Sequence, residues 1–390
     1  MHKSHIDLKS AHILLVDDTP ANLDVLCALL ETEGYQISLA PNGKVALKIA
    51  PQAEAAPDLI LLDVMMPGMD GFEVCRRLKA DPKTREIPVI FITAEDQTES
   101  LVKGFQAGGV DYIPKPFRDQ EVRVRVRNAL LTKFLFDQNR AYQEKMEKEL
   151  QTAHELQMGL MPKAPPALEG FEIAGRCLPA EQVGGDFFQY FARPQGGLAI
   201  ALADVTGHAM AAAIPVVLFN GMLEVQMERG GTLEELFARL NRSVHRLLDS
   251  HTLVCFALAR LDPASRCLHL SNAGLPYPVH YRAADGEVEE LQTEQAYPLG
   301  ASAEAAHRSL EVKLAPGDRV VFCSDGMVEA ENAQREMFGF ERLGEVVRKG
   351  CMEGLDAAAL LERLMGAVRC FAGDAPQADD QTVVVLEVGR

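Results

Sequence analysis

Four aspartates in the C-terminal part of the chain stand at one end or the other of apolar runs that read as buried strands, beside small residues. They are Asp186, Asp204, Asp325 and Asp379. If these strands pack together, the carboxylates converge, and like charges at close range either take up protons or bind cations. A donor set made only of oxygen favours a hard ion such as Mg²⁺ or Mn²⁺ over zinc. Two such ions sharing the carboxylates would lower the pKa of a water molecule and provide a nucleophile suited to phosphate esters.

A second set of polar residues follows strand-like runs in the first third of the chain. The set consists of Asp17, Asp18, Asp63, Thr93 and Lys115. Strand-like and helix-like runs alternate there, which predicts a parallel sheet covered by helices on both faces, with its chemistry at the carboxyl ends of the strands. In such a place two acids could bind Mg²⁺ and a third could accept a phosphoryl group. A threonine hydroxyl and a lysine could hold the added oxygens.

Together with residues 63–73, which read DVMMPGMDGFE, this set closely resembles the receiver domain of response regulators. The resemblance implies a doubly wound five-stranded parallel sheet with Asp63 as the phosphoacceptor. It implies one Mg²⁺, held by Asp17, Asp18, Asp63 and the carbonyl of Met65.

The same resemblance assigns signalling roles near the phosphoacceptor. Thr93 and Lys115 would sense the phosphoryl group, and Tyr112 would be an aromatic switch, although Tyr112 could also be an ordinary half-buried strand residue. The bond between Lys115 and Pro116 is expected to be cis, which an X–Pro bond can adopt.

The C-terminal segments resemble metal-dependent serine/threonine phosphatases of the PPM (PP2C-like) class, in particular the bacterial branch of stress-response and sporulation phosphatases. The resemblance covers roughly the last 230 residues, the size of one domain. It is carried by residues 155–162, 179–188, 272–274, 298–300 and 317–343. It implies two packed sheets with helices outside them, in an α-β-β-α arrangement.

By this resemblance the four aspartates, Asp186, Asp204, Asp325 and Asp379, are catalytic metal ligands, and the carbonyl of Val205 is a further ligand. They would hold two Mg²⁺ or Mn²⁺ ions. Asp380 stands where many relatives have asparagine and is expected either behind the ligands or at a third ion. His208 could face the phosphate as a donor or acid, but a single histidine near a helix start is more often a structural cap.

Two positions depart from the family pattern. Ala209 replaces the glycine usual after Gly-His, and Leu275 replaces the histidine usual after Asn-Ala-Gly. Neither is a ligand position, so both bear on substrate handling rather than on metal binding.

Between the two domains, residues 117–161 contain no glycine before Gly159 and no proline, which predicts one long helix. The expected organisation is a receiver domain at 11–130, a linker helix at 131–161 and a phosphatase domain at 162–390. Positions 135, 139, 142, 146, 149, 153, 156 and 160 alternate by four and three, and six of the eight are apolar. Such a seam indicates a coiled coil in which Asn139 would fix the register of a parallel dimer. The alternative is a helix that packs within its own chain.

Composition restricts the class of protein. A net charge of −17 and a pI near 5.1 argue against a nucleic-acid-binding surface. The eight cysteines form no C-x-x-C pair, a pattern typical of reduced cytoplasmic proteins. The first residues lack an apolar leader segment, and no run reaches the roughly 18 apolar residues of a membrane span. We therefore expect a cytoplasmic chain with no nucleic-acid or membrane partner.

These observations favour a two-component output protein. An upstream histidine kinase or phosphotransfer protein would phosphorylate Asp63, and the receiver would control a phosphatase acting on phosphoserine or phosphothreonine in a protein. The resemblance suggests an anti-sigma-factor antagonist as substrate, in a partner-switching pathway, and a homodimer through the receiver and linker helix. The alternative is a non-catalytic adaptor that binds a sigma or anti-sigma factor under receiver control. An adaptor is free to lose its carboxylates, and here all four are present. Whether phosphorylation activates or inhibits stays open.

Overall fold

A computed structural model describes the chain except for residues 1–7, 9, 53–55, 95–97, 194–195, 208–209, 250, 295–296 and 390. The chain forms two compact units, Met1–Lys145 and Met146–Arg390. The boundary between them lies within a single long helix, so each unit is described by itself.

The first unit is a parallel five-stranded sheet with the strand order β2-β1-β3-β4-β5. The strands are β1 His12–Val16, β2 Gln36–Ala40, β3 Leu59–Asp63, β4 Val89–Thr93 and β5 Asp111–Pro114. The connecting helices are α1 Pro20–Glu31, α2 Gly43–Ile49, α3 Gly71–Ala80 and α4 Thr98–Gln106. Apolar clusters cover both faces of the sheet because its central strands are apolar throughout. This confirms the predicted doubly wound fold.

Strand order determines where polar residues meet in this unit. β1 pairs with both β2 and β3, so the chain crosses over at the centre of the sheet. In open α/β sheets such a crossover leaves a crevice at the carboxyl ends of the neighbouring strands. Asp17 and Asp63 lie there.

The linker is one helix, α5, which runs from Asp119 to Leu160 and ends before Pro162. This confirms the prediction of a single long helix. Val122, Val126 and Leu130 are buried in the core of the first unit. Farther along, the side chains of Leu135 and Tyr142 are exposed.

The second unit contains two five-stranded sheets, ordered β13-β10-β9-β8-β7 and β12-β11-β14-β15-β6, with antiparallel pairing between neighbours. The first sheet consists of β7 Asp186–Ala192, β8 Leu198–Val205, β9 Val254–Asp262, β10 Cys267–Ala273 and β13 Leu310–Lys313. The second consists of β6 Phe171–Leu178, β11 Val279–Tyr281, β12 Val288–Glu290, β14 Arg319–Cys323 and β15 Gln381–Val388.

Helices flank the two sheets. They are α6 Met210–Arg229, α7 Leu233–Leu247, α8 Asp325–Val328, α9 Gly339–Met352 and α10 Ala357–Ala372. One apolar core joins the two sheets with α6 and α7, and a second lies between the β14–β15 sheet and α9 and α10. Helix α7 begins at Leu233 because Thr232 and Glu235 form a reciprocal capping box. The layers confirm the predicted α-β-β-α arrangement.

Among the helices that the structure describes, none has an apolar stretch long enough to cross a bilayer.

Candidate functional site

The polar residues of the first unit meet where β1 and β3 end side by side. One carboxylate oxygen from each of Asp17, Asp18 and Asp63 lies within 4.8 Å of the other two. Lys115 Nζ is 2.9 Å from Asp17 Oδ2 and 3.0 Å from Asp63 Oδ1. Three carboxylates therefore face one ammonium group, which leaves an excess of negative charge suited to a hard divalent cation.

Neighbouring groups hold these carboxylates in place. Asp17 accepts hydrogen bonds from the Thr19 backbone N–H at 2.8 Å and from the Asn22 side-chain amide, two residues that sequence reasoning missed. Burial raises the pKa of Asp63, although the hydrogen bond from Lys115 opposes the rise. Burial alone would lower the pKa of Lys115, but its bonds to Asp17 and Asp63 raise it. The lysine therefore stays charged between the two acids.

The remaining residues of the first set lie at the same edge of the sheet. Thr93 is the last residue of β4, the neighbour of β3, and is buried. Tyr112 is half-buried in β5, with the Arg125 guanidinium 5.0 Å from the centre of its ring. The Met65 side chain is exposed, and its backbone N–H bonds to Asp63. The Lys115–Pro116 peptide bond is cis, as predicted.

In the second unit, each sheet contributes two aspartates to one place. Asp186 and Asp204 are directly opposite each other on the antiparallel strands β7 and β8. Asp325 follows β14 and Asp379 precedes β15, two strands that pair with each other. Burial raises the pKa of Asp204 to about 7, with Asp325 and Asp379 adding to the rise. The four carboxylates that the sequence predicts to converge therefore act electrostatically on one another.

The aspartates of the second unit differ in how far their side chains are exposed to solvent. Asp186 is buried, and burial together with the charge of Asp204 raises its pKa well above the usual value. Asp325 is half-buried, and its pKa is raised by burial, then by Asp379 and Glu329. Asp379 is exposed. The group is therefore buried at Asp186 and open to solvent at Asp379.

The four aspartates are more widely spaced than the acids of the first unit. Among the residues that the structure describes, no three of the four have carboxylate oxygens within 4.8 Å of one another. Ions in two-metal sites lie about 3.5–4 Å apart, so ligands on opposite sides of such a pair must be farther apart than those of one ion.

A shell of hydrogen bonds orients the buried carboxylate. Thr382 Oγ1 donates to Asp186 Oδ2 at 2.6 Å. Asp380 accepts from the Ala180 backbone N–H at 2.8 Å and from the Asp186 backbone N–H at 3.1 Å. Each of its two carboxylate oxygens therefore bonds to a backbone N–H group, one of them that of Asp186. Sequence reasoning gave Thr382 no role, although it lies three residues after Asp379.

Three glycines leave room for oxygen ligands. A Cβ on Gly184 would lie 1.8 Å from Asp380 Oδ2, and one on Gly185 would lie 2.4 Å from the Val205 carbonyl oxygen. A Cβ on Gly326 would lie 2.1 Å from the Asp380 carbonyl oxygen. Any side chain at these positions would fill the space beside carboxylate or carbonyl oxygens. Oxygen donors with glycine-lined space around them fit hard divalent ions.

The end of α5 contacts the segment that carries Asp186. The Gln157 side chain is buried, its Nε2 donates to the Gly184 carbonyl at 2.7 Å, and its Oε1 accepts from the Gly184 backbone N–H at 3.1 Å. The His154 imidazole bonds to the Gln182 carbonyl at 2.5 Å. Sequence reasoning quoted residues 155–162 as part of the resemblance but gave Gln157 no role. The hydrogen bond from its side-chain amide to the Gly184 carbonyl, 27 residues away, could not be predicted from the sequence.

An open cleft of about 630 Å³ reaches Asp325 from one side. Leu275, Tyr277, Met337 and Phe340 line it together with Glu290 and Glu329, so its wall combines apolar and acidic side chains. Leu275 is one of the two residues that depart from the family pattern. His208 and Ala209 lie outside the described residues.

Two family models match the chain. The model described as stage II sporulation protein E (SpoIIE) matches residues 194–389, and that of the response regulator receiver domain matches residues 13–127. Together they account for the two units.

Curated relatives match the N-terminal part. The chain is 43% identical over 169 residues to the response regulator PleD of Caulobacter vibrioides, covering 43% of this chain and 34% of PleD. It is 41% identical over 121 residues to the protein PilH of Pseudomonas aeruginosa, covering 31% of this chain and 98% of PilH. The chain thus spans about a third of the length of PleD.

Solved structures match the second unit. The SiaA-PP2C domain of Pseudomonas aeruginosa superposes with a TM-score of 0.54 at 24% identity, covering 63% of this chain and 98% of that one. The RsbU and RsbW domains of a Mycobacterium tuberculosis protein superpose with a TM-score of 0.50 at 23% identity, covering 57% and 61%. At these identities the likeness establishes the fold alone.

Proposed function

The chain belongs to the stage II sporulation protein E (SpoIIE) family and carries a response regulator receiver domain, and on this premise we propose that phosphorylation of Asp63 controls a metal-dependent phosphoserine/phosphothreonine protein phosphatase. The receiver domain would span 11–130, the linker helix 131–161 and the phosphatase domain 162–390. The single observation that carries the proposal is the meeting of Asp186, Asp204, Asp325 and Asp379 from both sheets beside closely packed glycines.

In this proposal two Mg²⁺ or Mn²⁺ ions are held by the four aspartates and the Val205 carbonyl, and one Mg²⁺ is held by Asp17, Asp18, Asp63 and the Met65 carbonyl. Bound there, such ions supply a water molecule of lowered pKa and offset phosphoryl charge in the C-terminal site. The chain's own residues prepare that site. Thr382 keeps an oxygen of Asp186 oriented, and Asp380 ties the backbone of Asp186 to the start of β15.

The apolar side chains in the cleft beside Asp325 suit a protein substrate better than a small phosphate ester. Leu275, Met337 and Phe340 offer contacts to apolar side chains on either side of a phosphorylated residue. We propose a phosphorylated anti-sigma-factor antagonist as this substrate, in a partner-switching pathway. A histidine kinase or phosphotransfer protein would be the upstream donor, and the eight free cysteines agree with a reducing cytoplasm.

Control would pass along α5. The helix belongs to both units, and Gln157 near its end holds both backbone polar groups of Gly184, two residues before Asp186. A shift or rotation of the helix on phosphorylation would therefore move the segment that carries a ligand. The exposed side chains of Leu135, Tyr142 and Leu156 support a homodimer through the same helix.

Hydrolysis of a phosphoserine peptide and a phosphothreonine peptide by the full-length chain tests the proposal. We expect phosphate release that requires Mn²⁺ or Mg²⁺ and is lost in Asp325→Asn, while the matched variant Asp374→Asn, on an exposed turn, keeps it. Because a peptide can lack docking contacts, p-nitrophenyl phosphate serves as a second substrate. Absence of metal-dependent hydrolysis of all three substrates would favour the adaptor alternative, a chain that binds a sigma or anti-sigma factor without turnover.

A further inference from the structure

A third group of metal-ligating side chains lies at the β10–β13 edge of the first sheet in the second unit. Cys267 and His269 are two residues apart on β10 and therefore share a face. Glu311 on β13 is directly opposite His269. The Cys267 Sγ, an imidazole nitrogen of His269 and a carboxylate oxygen of Glu311 all lie within 4.8 Å of one another.

The donor set differs in kind from that of the aspartate sites. A thiolate and an imidazole favour zinc and similar transition metals over Mg²⁺, and three protein ligands leave a fourth position for water. Ligand atoms around one tetrahedral zinc must be closer than those here, so small side-chain rotations are needed. His269 and Glu311 can make them because their side chains are 44% and 71% exposed, while Cys267 is buried on the sheet.

The positively charged side chains opposite Cys267 and His269 donate hydrogen bonds to backbone carbonyl groups. Lys313 is opposite Cys267, but its ammonium group donates to the Ser265 carbonyl. Arg260 is opposite His269, but its guanidinium donates to the Gly231 carbonyl at 2.5 Å. On the other side of Cys267, Asp262 adds a negative charge. The charge around the three ligands therefore permits a divalent cation.

We propose that Cys267, His269 and Glu311 form a site for one zinc-type transition metal, separate from the aspartate sites. Binding exchanges the Cys267 thiol proton for a metal–sulfur bond and releases that proton to solvent. Because Glu311 lies on β13, an edge strand of only four residues, the metal fastens this strand to β10. The expected consequence is greater thermal stability of the second unit.

Titration of the full-length chain with Co²⁺ in excess Mg²⁺ tests the site, because Mg²⁺ occupies oxygen-rich sites and a cobalt–thiolate bond has its own near-ultraviolet absorption band. We expect one Co²⁺ per chain to produce the band, and Zn²⁺ to displace it and raise the melting temperature. Cys267→Ser should abolish the band. Glu311→Gln, an exposed change that leaves the fold intact, should weaken Co²⁺ binding by about tenfold or more. Cys370→Ser, at the exposed cysteine, is the matched control and should change nothing.

Absence of the band in the unmodified chain would overturn the proposal. So would a band that persists in Cys267→Ser with unchanged affinity, since other thiols would then be the ligands. Unchanged Co²⁺ affinity in Glu311→Gln would also contradict the three-ligand site. Phosphatase activity in Mg²⁺ alone should be the same in all three variants, so failure of this proposal can be told from failure of the proposed function.

Discussion

Replacing Gln157 by alanine should both destabilise the second unit and uncouple it from the receiver. The Gln157 side chain is 2% exposed and makes two hydrogen bonds to the backbone of Gly184, at 2.7 and 3.1 Å. A buried donor or acceptor that loses its partner costs about 1–3 kcal/mol. With both polar groups of Gly184 left unpaired, and some relaxation of the loop, we expect a loss of about 2–4 kcal/mol in the free energy of unfolding.

The assay has two readouts. For a unit of this size the loss corresponds to a fall of roughly 5–10 °C in melting temperature, measured by calorimetry on the full-length chain. The second readout is the ratio of phosphatase rates with and without beryllofluoride, which should move towards one. Gln151→Ala is the matched control, because this exposed glutamine on the same helix bonds only to Glu155 among the contacts described for it. It should change stability by a few tenths of a kcal/mol and leave the ratio unaltered.

Gln157→Glu sharpens the test. Glutamate has the same shape and can still accept from the Gly184 N–H, but its carboxylate cannot donate to the Gly184 carbonyl. We expect it to be at least as harmful as alanine at neutral pH. If both variants kept the stability and the beryllofluoride response of the unmodified chain, the contact between α5 and the Asp186 segment would not carry the signal.

Three further predictions concern the C-terminal site. Thr382→Val removes the hydroxyl that bonds to Asp186 Oδ2 and should weaken Mn²⁺ binding by about 1–3 kcal/mol, measured by calorimetric titration. Unchanged Mn²⁺ binding would show that the hydroxyl does not orient Asp186 for the metal. Gly185→Ala places a methyl group against the Val205 carbonyl and should reduce Mn²⁺ affinity and activity. The control Gly221→Ala, which has open space around it on α6, should reduce neither. Equal Mn²⁺ affinities of Gly185→Ala and the unmodified chain would show that the carbonyl is not a ligand. In metal-free protein the pKa of Asp204, raised to about 7 by burial, means that the folded state binds more protons than the unfolded state between about pH 4 and pH 7. Stability should therefore fall as pH rises through 7, by about 1 kcal/mol from pH 6 to pH 8, and Asp204→Asn should flatten this dependence; a rise in stability over that range would contradict the sign.

Much of the first unit could be predicted from local pattern. Apolar runs such as residues 12–16 and 88–92 form strands that are buried on both faces and are followed by polar residues. The existence of these strands, their order along the chain and the position of Asp17 and Asp63 at strand ends could therefore be predicted. The contact of Lys115 with both acids depends on the crossover at the centre of the sheet, which the alternation of strands and helices predicts.

The second unit was less predictable because its pairings are non-local. The pairing of Asp186 with Asp204 follows from a hairpin, but the approach of Asp325 and Asp379 to them depends on how two sheets stack. The strands β6 and β13 were not predicted. Gly175 interrupts the alternation of β6, and β13 is a short edge strand with a charged outer face. The role of Asp380 also depends on a backbone almost 200 residues away.

The most direct test of the central claim is the effect of beryllofluoride on Mn²⁺-dependent hydrolysis by the full-length chain and by Asp63→Asn. The account predicts that beryllofluoride changes the rate of the unmodified chain, in either direction, and leaves the rate of Asp63→Asn unchanged, with Asp325→Asn inactive in both conditions. A metal-dependent rate that beryllofluoride does not alter in the unmodified chain, or alters equally in Asp63→Asn, would contradict control of the phosphatase through Asp63.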